Sequence, residues 1–177
     1  MKQKIRIASG QGFWGDLLTA PIDQVTKGQV DYLVMDYLAE VTMSILQKQK
    51  LKDPKLGYAK DLIPLLETIL PICIEKNIKV VTNGGGVNPI ACKDAILSVA
   101  QKLGVNVKVG VVAGDDILEQ IDTLVANRNE LKNMETSESL ANVRSKISSA
   151  NVYFGAAPIV EALKQGAQII ITGRTTD

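Results

Sequence analysis

The chain has 177 residues, of which 46% are hydrophobic and 22% charged. That composition suits one folded domain with a sizeable core and excludes intrinsic disorder. With 20 basic and 19 acidic residues the formal net charge is only +1, so nothing points to nucleic acid or an anionic membrane as a partner. Histidine is absent, which removes a Ser-His-Asp triad, a histidine base and a histidine metal ligand from this chain. Acid–base work must fall to carboxylates, Lys, Tyr, Cys or a group from another chain or domain.

No apolar run approaches the roughly 18 residues that would suggest a membrane span. Met1-Lys2-Gln3-Lys4 leads straight into a strand pattern without a signal-peptide core. Cys73 and Cys92 are too few for a disulfide framework and too far apart for a CxxC motif. A cytoplasmic location with both thiols reduced is expected. Cys92, one turn into a helix, reads more readily as a buried apolar residue than as an activated thiolate.

In chain order, residues 4–8 predict a strand and Gly10 to Asp16 a glycine-rich turn. A helix over residues 19–27 follows, with Thr19 as N-cap, Pro21 in its first turn and Gly28 as stop. Residues 31–35 read as a second strand and 40–50 as a helix, before a break at Asp53-Pro54. From Tyr58 to Asn77 the apolar residues Leu62, Leu65, Leu66, Ile69, Leu70 and Cys73 keep helical spacing. Pro64 and Pro71 predict a late start, a kink or two pieces there.

Residues 78–82 form the clearest strand; Asn83-Gly84-Gly85-Gly86 is its loop, and Asn88 caps a helix whose first residue is Pro89. That helix ends near Leu103, with Gly104 as its stop. Residues 107–113 read as a strand, Gly114-Asp115-Asp116 as its loop and 117–126 as a helix. The polar stretch 127–149 reads as an exposed insertion with partial helix. A short strand at 151–154, a helix at 158–165 and a sixth strand at 168–172 complete the series. Alternating strands and helices predict a single α/β domain over residues 1–177: three layers, doubly wound, with a mainly parallel, Rossmann-like sheet of about six strands. The run Ile169-Ile170-Ile171 fits a strand covered on both faces.

In such a sheet, ligands bind beside the loops that follow the strands, at the point where strand order reverses. Those loops carry the unusual residues here. Asp16, Asp36, Glu40 and Asp115 are the candidate acid–base groups. Gly12, Trp14, Asn83, Gly84, Gly85, Gly86, Asn88 and Arg174 are the candidate substrate- or anion-binding residues. Successive glycines before a helix can turn backbone N–H groups toward a phosphate or carboxylate, or they can simply serve a tight turn. Asp115 and Asp116 can bind a metal such as magnesium, act as acid and base, or cap a helix, and capping is the commoner role. Trp14 is a lid or packs against a further domain. Arg174 holds an anion or pairs with Asp16, Asp36 or Asp115. No metal site is expected.

Gly10, Gly12 and Gly15 match GxGxxG, and Asp36 follows Gly15 by 21 positions. A dinucleotide site needs the third glycine to open the helix. Pro21 instead favours a later helix start, and Phe13-Trp14 puts two large rings in the loop.

Several stretches together resemble the acyclic terpene utilisation (AtuA-like) family. They are Gly12-Phe13-Trp14-Gly15-Asp16, the run from Asp31 through Asp36-Tyr37 and Glu40 to Met43, Asp53-Pro54 with Gly57-Tyr58, Asn83-Gly84-Gly85-Gly86-Val87-Asn88-Pro89, Gly114-Asp115-Asp116 and Gly173-Arg174. The resemblance spans nearly the whole chain in order, and the run from Asp31 to Met43 is its most specific part. It implies catabolism of acyclic terpenes, or of related branched acids handled as coenzyme A thioesters. No metal or redox cofactor follows from it; coenzyme A would enter only as part of the substrate.

Members of that family are longer, so this chain is expected to be the N-terminal domain of one, its C-terminal domain missing. The ending just after a strand agrees with that expectation. A homo-oligomer with a small-molecule substrate is expected. The enzyme-domain reading stands beside two others: a non-catalytic scaffolding subunit of an acyl-coenzyme A complex, and a dinucleotide enzyme using Gly10, Gly12 and Gly15.

Overall fold

The computed structural model describes residues 4–127 and 131–176. The expected start of the chain, residues 128–130 of the expected insertion, and Asp177 lie outside the described residues. Five strands form one parallel sheet: β1 (Ile7–Gln11), β2 (Tyr32–Met35), β3 (Lys79–Thr82), β4 (Val109–Val111) and β5 (Ile169–Ile171), in the order β1-β2-β3-β5-β4. The helices are α1 (Thr19–Lys27), α2 (Glu40–Lys52), α3 (Leu62–Glu75), α4 (Pro89–Lys102), α5 (Ile121–Ala126) and α6 (Ala157–Lys164).

The α/β architecture is as expected, with five strands where about six were expected. Residues 151–154 make only two single bridges, Asn151 antiparallel to Asp116 and Phe154 parallel to Thr175. Their partners run in opposite directions, so no ladder can propagate between them. Strand β1 also starts later than expected and takes in Gly10 and Gln11. The register from Ile7 opposite Tyr32 to Gln11 opposite Met35 sets its ends. A Cβ on Gly10 would lie 3.0 Å from both Leu33 Cδ1 and Pro21 Cβ, so this glycine lets α1 lie close on the strand.

Thr19 is the first residue of α1, not its cap. Leu18 holds that position with helical backbone angles and no side-chain cap bond. Helix α3 is one piece with the late start allowed for. Pro64 falls in its first turn, where the lost N–H had no intrahelical partner, and Pro71 sits inside it. Asn88 Oδ1 accepts from the Ala91 N–H at 3.4 Å, and Pro89 opens α4, as expected. A 3-10 turn, Leu118–Gln120, precedes the short α5. Residues 131–149 are mostly exposed and carry two single 3-10 turns, Leu140–Asn142 and Arg144–Lys146.

Helices α1, α3 and α4 cover one face of the sheet. Val25, Leu62, Leu66, Ile69, Cys92 and Ile96 are buried there against Leu33, Val80, Ile169 and Ile171. On the other face α6 packs Ile159, Ala162 and Leu163 over Ile170, Val112 and Ala167. The chain therefore steps across β1, β2, β3 and β4 with helices on one side and returns to β5 on the other, which right-handed crossovers require. The layers number three over β4 and β5, and all of β5 is buried. No helix among the described residues is long and apolar enough to cross a membrane.

Candidate functional site at the strand ends

Because β5 lies between β3 and β4, the chain leaves its two neighbours toward opposite faces of the sheet. The crevice of a doubly wound fold therefore opens above the end of β5. The loop after β3 stands on one side of Thr172-Gly173-Arg174 and the loop after β4 on the other.

Asp115 is the most deeply placed carboxylate of this edge, with 2% of its surface exposed. Asn151 Nδ2 donates to it at 3.4 Å, and the Arg174 backbone N–H also bonds to it. Burial raises its pKa above the ordinary carboxylate value, and the Asp116 charge adds to that; its own N–H, Asn151 and Arg174 pull the other way. A Cβ on Gly173 would sit 2.1 Å from Asp115 Oδ2, so a side chain there would displace that carboxylate.

Arg174 pairs with Glu40, not with the three aspartates considered. Its Nη2 donates to Glu40 Oε1 at 3.1 Å, its Nη1 donates to the Leu38 carbonyl, and its guanidinium lies 4.5 Å from the centre of the Tyr153 ring. Tyr153 OH donates to the same Glu40 oxygen at 3.2 Å. The Glu40 carboxyl is held below its ordinary pKa first by its own backbone N–H at the start of α2, then by Arg174 and Tyr153. Asp115, Arg174, Tyr153 and Glu40 are thus one connected cluster.

Asp36 and Asn83 form a second unit. Asn83 Nδ2 donates to Asp36 Oδ1 at 2.6 Å, while Asn83 Oδ1 accepts from the Tyr37 N–H at 2.7 Å. Together they tie the loop after β2 to the loop after β3. Asp16 stands apart: its carboxylate accepts from Gly12 N at 3.0 Å and Leu17 N at 2.7 Å, which lowers its pKa. Trp14 is anchored by its indole N–H to Asp61 Oδ1 at 2.7 Å and packs against the main core.

The glycine loop after β3 keeps its donors inside the protein. Gly84 N bonds Thr82 Oγ1, Gly86 N the Asn83 carbonyl, Val87 N the Gly57 carbonyl and Asn88 N the Gly85 carbonyl. Close packing accounts for the glycines themselves. A Cβ on Gly85 would meet Ile171 Cγ2 at 2.6 Å and the Thr172 carbonyl at 2.7 Å, and Gly86 has φ of +57°. The geometry is that of a tight turn. The GxGxxG geometry is equally distant from a dinucleotide site: Gly10 lies in β1, and α1 begins at Thr19 rather than at Gly15. Cys92 is fully buried, and burial pushes its thiol up to about 12.

Beside Asp115 lies an open cleft of about 560 Å³, between α2, the start of α4 and the loop after β4. Gln47, Lys50, Asn88, Asp115 and Asp116 contribute polar groups to its wall. Lys50 Nζ bonds the Val87 carbonyl at 2.9 Å and Asp116 Oδ2 at 3.3 Å. No group of three or more Cys, Asp or Glu among the described residues is arranged to hold a metal ion.

A family model, described as acyclic terpene utilisation family protein AtuA, matches residues 5–177. The chain belongs to that family. No curated protein and no solved structure matches it. Membership in the AtuA family associates the chain with acyclic terpene utilisation. The sequence motifs of the AtuA family resemblance map to strand-end loops or the helix starts beside them, apart from Asp31 to Met35, which leads into and forms β2, and Asp53-Pro54 and Gly57-Tyr58, which brace the β3 loop: Asn88 Nδ2 donates to the Pro54 and Leu56 carbonyls at 2.8 Å. Sequence reasoning missed Gln47, Lys50, Asn151 and Tyr153. The signal for the first two was their spacing of three on α2, which puts them on one helical face. The other two lay in a segment read as a strand.

Proposed function

We propose that this chain is the substrate-binding and acid–base domain of a catabolic enzyme for acyclic terpenes or related branched acyl-coenzyme A compounds, working at the strand-end edge. The observation that carries this reading is Asp115. A buried carboxyl with a raised pKa, in the switch-point crevice and on the wall of an open cleft, is suited to give up a proton to a bound substrate. Arg174 positions it, since its backbone holds Asp115 while its side chain ties the crevice to Glu40 and Tyr153. Asp36 and Asn83 act as braces between loops rather than as reacting groups.

A thermal-shift series with acyclic terpenoids, branched acyl-coenzyme A esters, free coenzyme A, NAD and flavins tests the reading. A ligand at a hundred times its Kd raises the melting temperature of a chain this size by about 5–10 °C. Stabilisation by terpenoids or acyl esters, with growth on acyclic terpenes lost in an Asp115→Asn strain, is the expected result. Normal growth in that strain with no ligand shift sinks it.

A scaffolding role has one observation in its favour. The polar groups of these loops are largely paired with one another, and the glycine loop offers few donors outward. Co-purification with an acyl-coenzyme A enzyme, and no ligand shift for the chain alone, would select that role.

A further inference from the structure

The two edges of the sheet are finished differently. At one edge, β1 has a register irregularity between Ser9 and Gln11, and Arg6 is exposed just before the strand. Bulges and charges of that kind hinder pairing with another chain. At the other edge, β4 and the residues after it read Val109-Gly110-Val111-Val112-Ala113, with no charge and no proline, and the register with β5 is unbroken. Gln168 N–H donates to the Lys108 carbonyl at 2.8 Å, and Val112 N–H donates to the Ile171 carbonyl at 2.9 Å. Alternate residues of a strand turn their backbone groups to opposite sides, so those of Val109 and Val111 point away from β5. They meet no partner among the described residues.

Outside β4 lies an open groove of about 480 Å³, walled by Gly110, Val112, Phe154 and the α6 residues Pro158 and Ala162. A row of unpaired N–H and C=O groups fits an extended backbone, which alone presents donors and acceptors at the strand repeat. Among extended backbones, β4 is complementary to itself. Turned antiparallel about a two-fold axis at Gly110, Val109 of each copy faces Val111 of the other, and each such pair exchanges two N–H···O bonds. Gly110 then faces its own counterpart where the two backbones come closest, with no side chain to obstruct them. Each groove carries one charge of either sign, Lys108 and Glu161, and the formal net charge of the chain is only +1. Two copies therefore meet without strong repulsion.

We propose that β4 pairs antiparallel with β4 of a second copy of this chain, joining the two sheets into one. The pairing sets the start of one β4 beside the end of the other. The loop Gly114-Asp115-Asp116 of each copy then stands at the interface, bordered by the turn that leads into the other copy's β4. This inference concerns assembly and does not depend on the proposed function.

Sedimentation and hydrogen exchange of the unaltered chain at about 100 µM and about 1 µM test it, a range that brackets the association expected of a small interface. The expected result is a dimer at the higher concentration, with the Val109 and Val111 amides exchanging about fivefold more slowly there than at the lower. The Val112 amide, which bonds β5, should be protected at both. Val111→Pro removes one outward N–H at a position that an unpaired edge tolerates, so this variant should fold as a monomer. A monomer at both concentrations, or a dimer whose Val109 and Val111 amides exchange as fast as unpaired ones, overturns the inference without reliance on a variant. A dimer that persists in folded Val111→Pro puts the contact on another surface and overturns it as well.

Discussion

The two faces of this sheet are built to different standards. Under α1, α3 and α4, successive rows of Leu33, Val80, Ile169 and Ile171 are fully buried. On the opposite face α6 packs over β4 and β5. Ile170 is buried there, but Val34, its neighbour two strands away in the same row, is 38% exposed, and Ile7 is 67% exposed. Adjacent residues of β2 therefore belong to different environments: Leu33 is a core residue and Val34 a surface one. Since hydrophobic stabilisation scales with apolar area removed from water, most of it comes from one face.

That contrast is directly testable, beginning with its largest consequence. Leu33→Ala should cost about 2–5 kcal/mol in urea unfolding through loss of burial and the cavity left behind. Val34→Ala, one residue along, should stay within about 0.5 kcal/mol, as surface changes usually do. Comparable losses at the two positions would break the comparison.

The helix-covered face also governs the crevice, because Gly85 lies between Pro89 at the start of α4 and Ile171 at the end of β5. Gly85→Ala should cost about 1–3 kcal/mol by overpacking, and it should weaken any ligand stabilisation that depends on the strand-end loops. An unchanged melting temperature would mean that the loop has room the geometry does not indicate.

A smaller effect separates a buried carboxylate from an exposed one. Asp115 has its folded pKa raised by burial, so the native state holds its proton more tightly than the unfolded chain, whose ordinary value is 3.8. The stability of the unaltered protein relative to Asp115→Asn should rise as pH falls from neutral through the raised folded pKa toward that ordinary value. It should be lost again as pH rises. Glu40, whose pKa is lowered, should give the opposite sign in Glu40→Gln: its contribution is present above the ordinary value of 4.5 and is lost as pH falls through the lowered folded value. Two flat difference curves would remove both assignments.

The smallest effect concerns chemistry rather than stability. Cys73 and Cys92 are buried in the main core, and burial pushes each thiol up to about 12. Neither should react with a thiol reagent while the chain is folded. A Val34→Cys variant should be labelled at once, without denaturant, and failure to label would mean that this face is covered.

Much of the frame was legible in residue order. The β-branched run before Asn83, the Asn88-Pro89 cap and the apolar spacing from Leu62 to Cys73 each encode their own local conformation. The strand at 151–154 was misread because a short apolar segment specifies extended backbone but not a partner; here Asn151 and Phe154 found different ones. The candidate site divides in the same way. Its location after the strands followed from where glycine and polar residues cluster. Its internal wiring did not. Residue type marks both Glu40 and Arg174 as candidates, yet their pairing spans 134 residues of chain and cannot be read from spacing.

The sequence alone thus determined the alternation of strands and helices, the parallel α/β class, burial of Ile169-Ile170-Ile171 on both faces, and the motifs shared with the AtuA family. These are carried by local propensity, periodicity and residue identity. Only the tertiary structure decided which donors of the glycine loop are already taken, that a side chain at Gly85 would strike Ile171 and the Thr172 carbonyl, and that Arg174 reaches Glu40 across the strand ends. Those outcomes depend on distance and burial between segments far apart in the chain, and residue order does not specify such distances until the sheet has assembled.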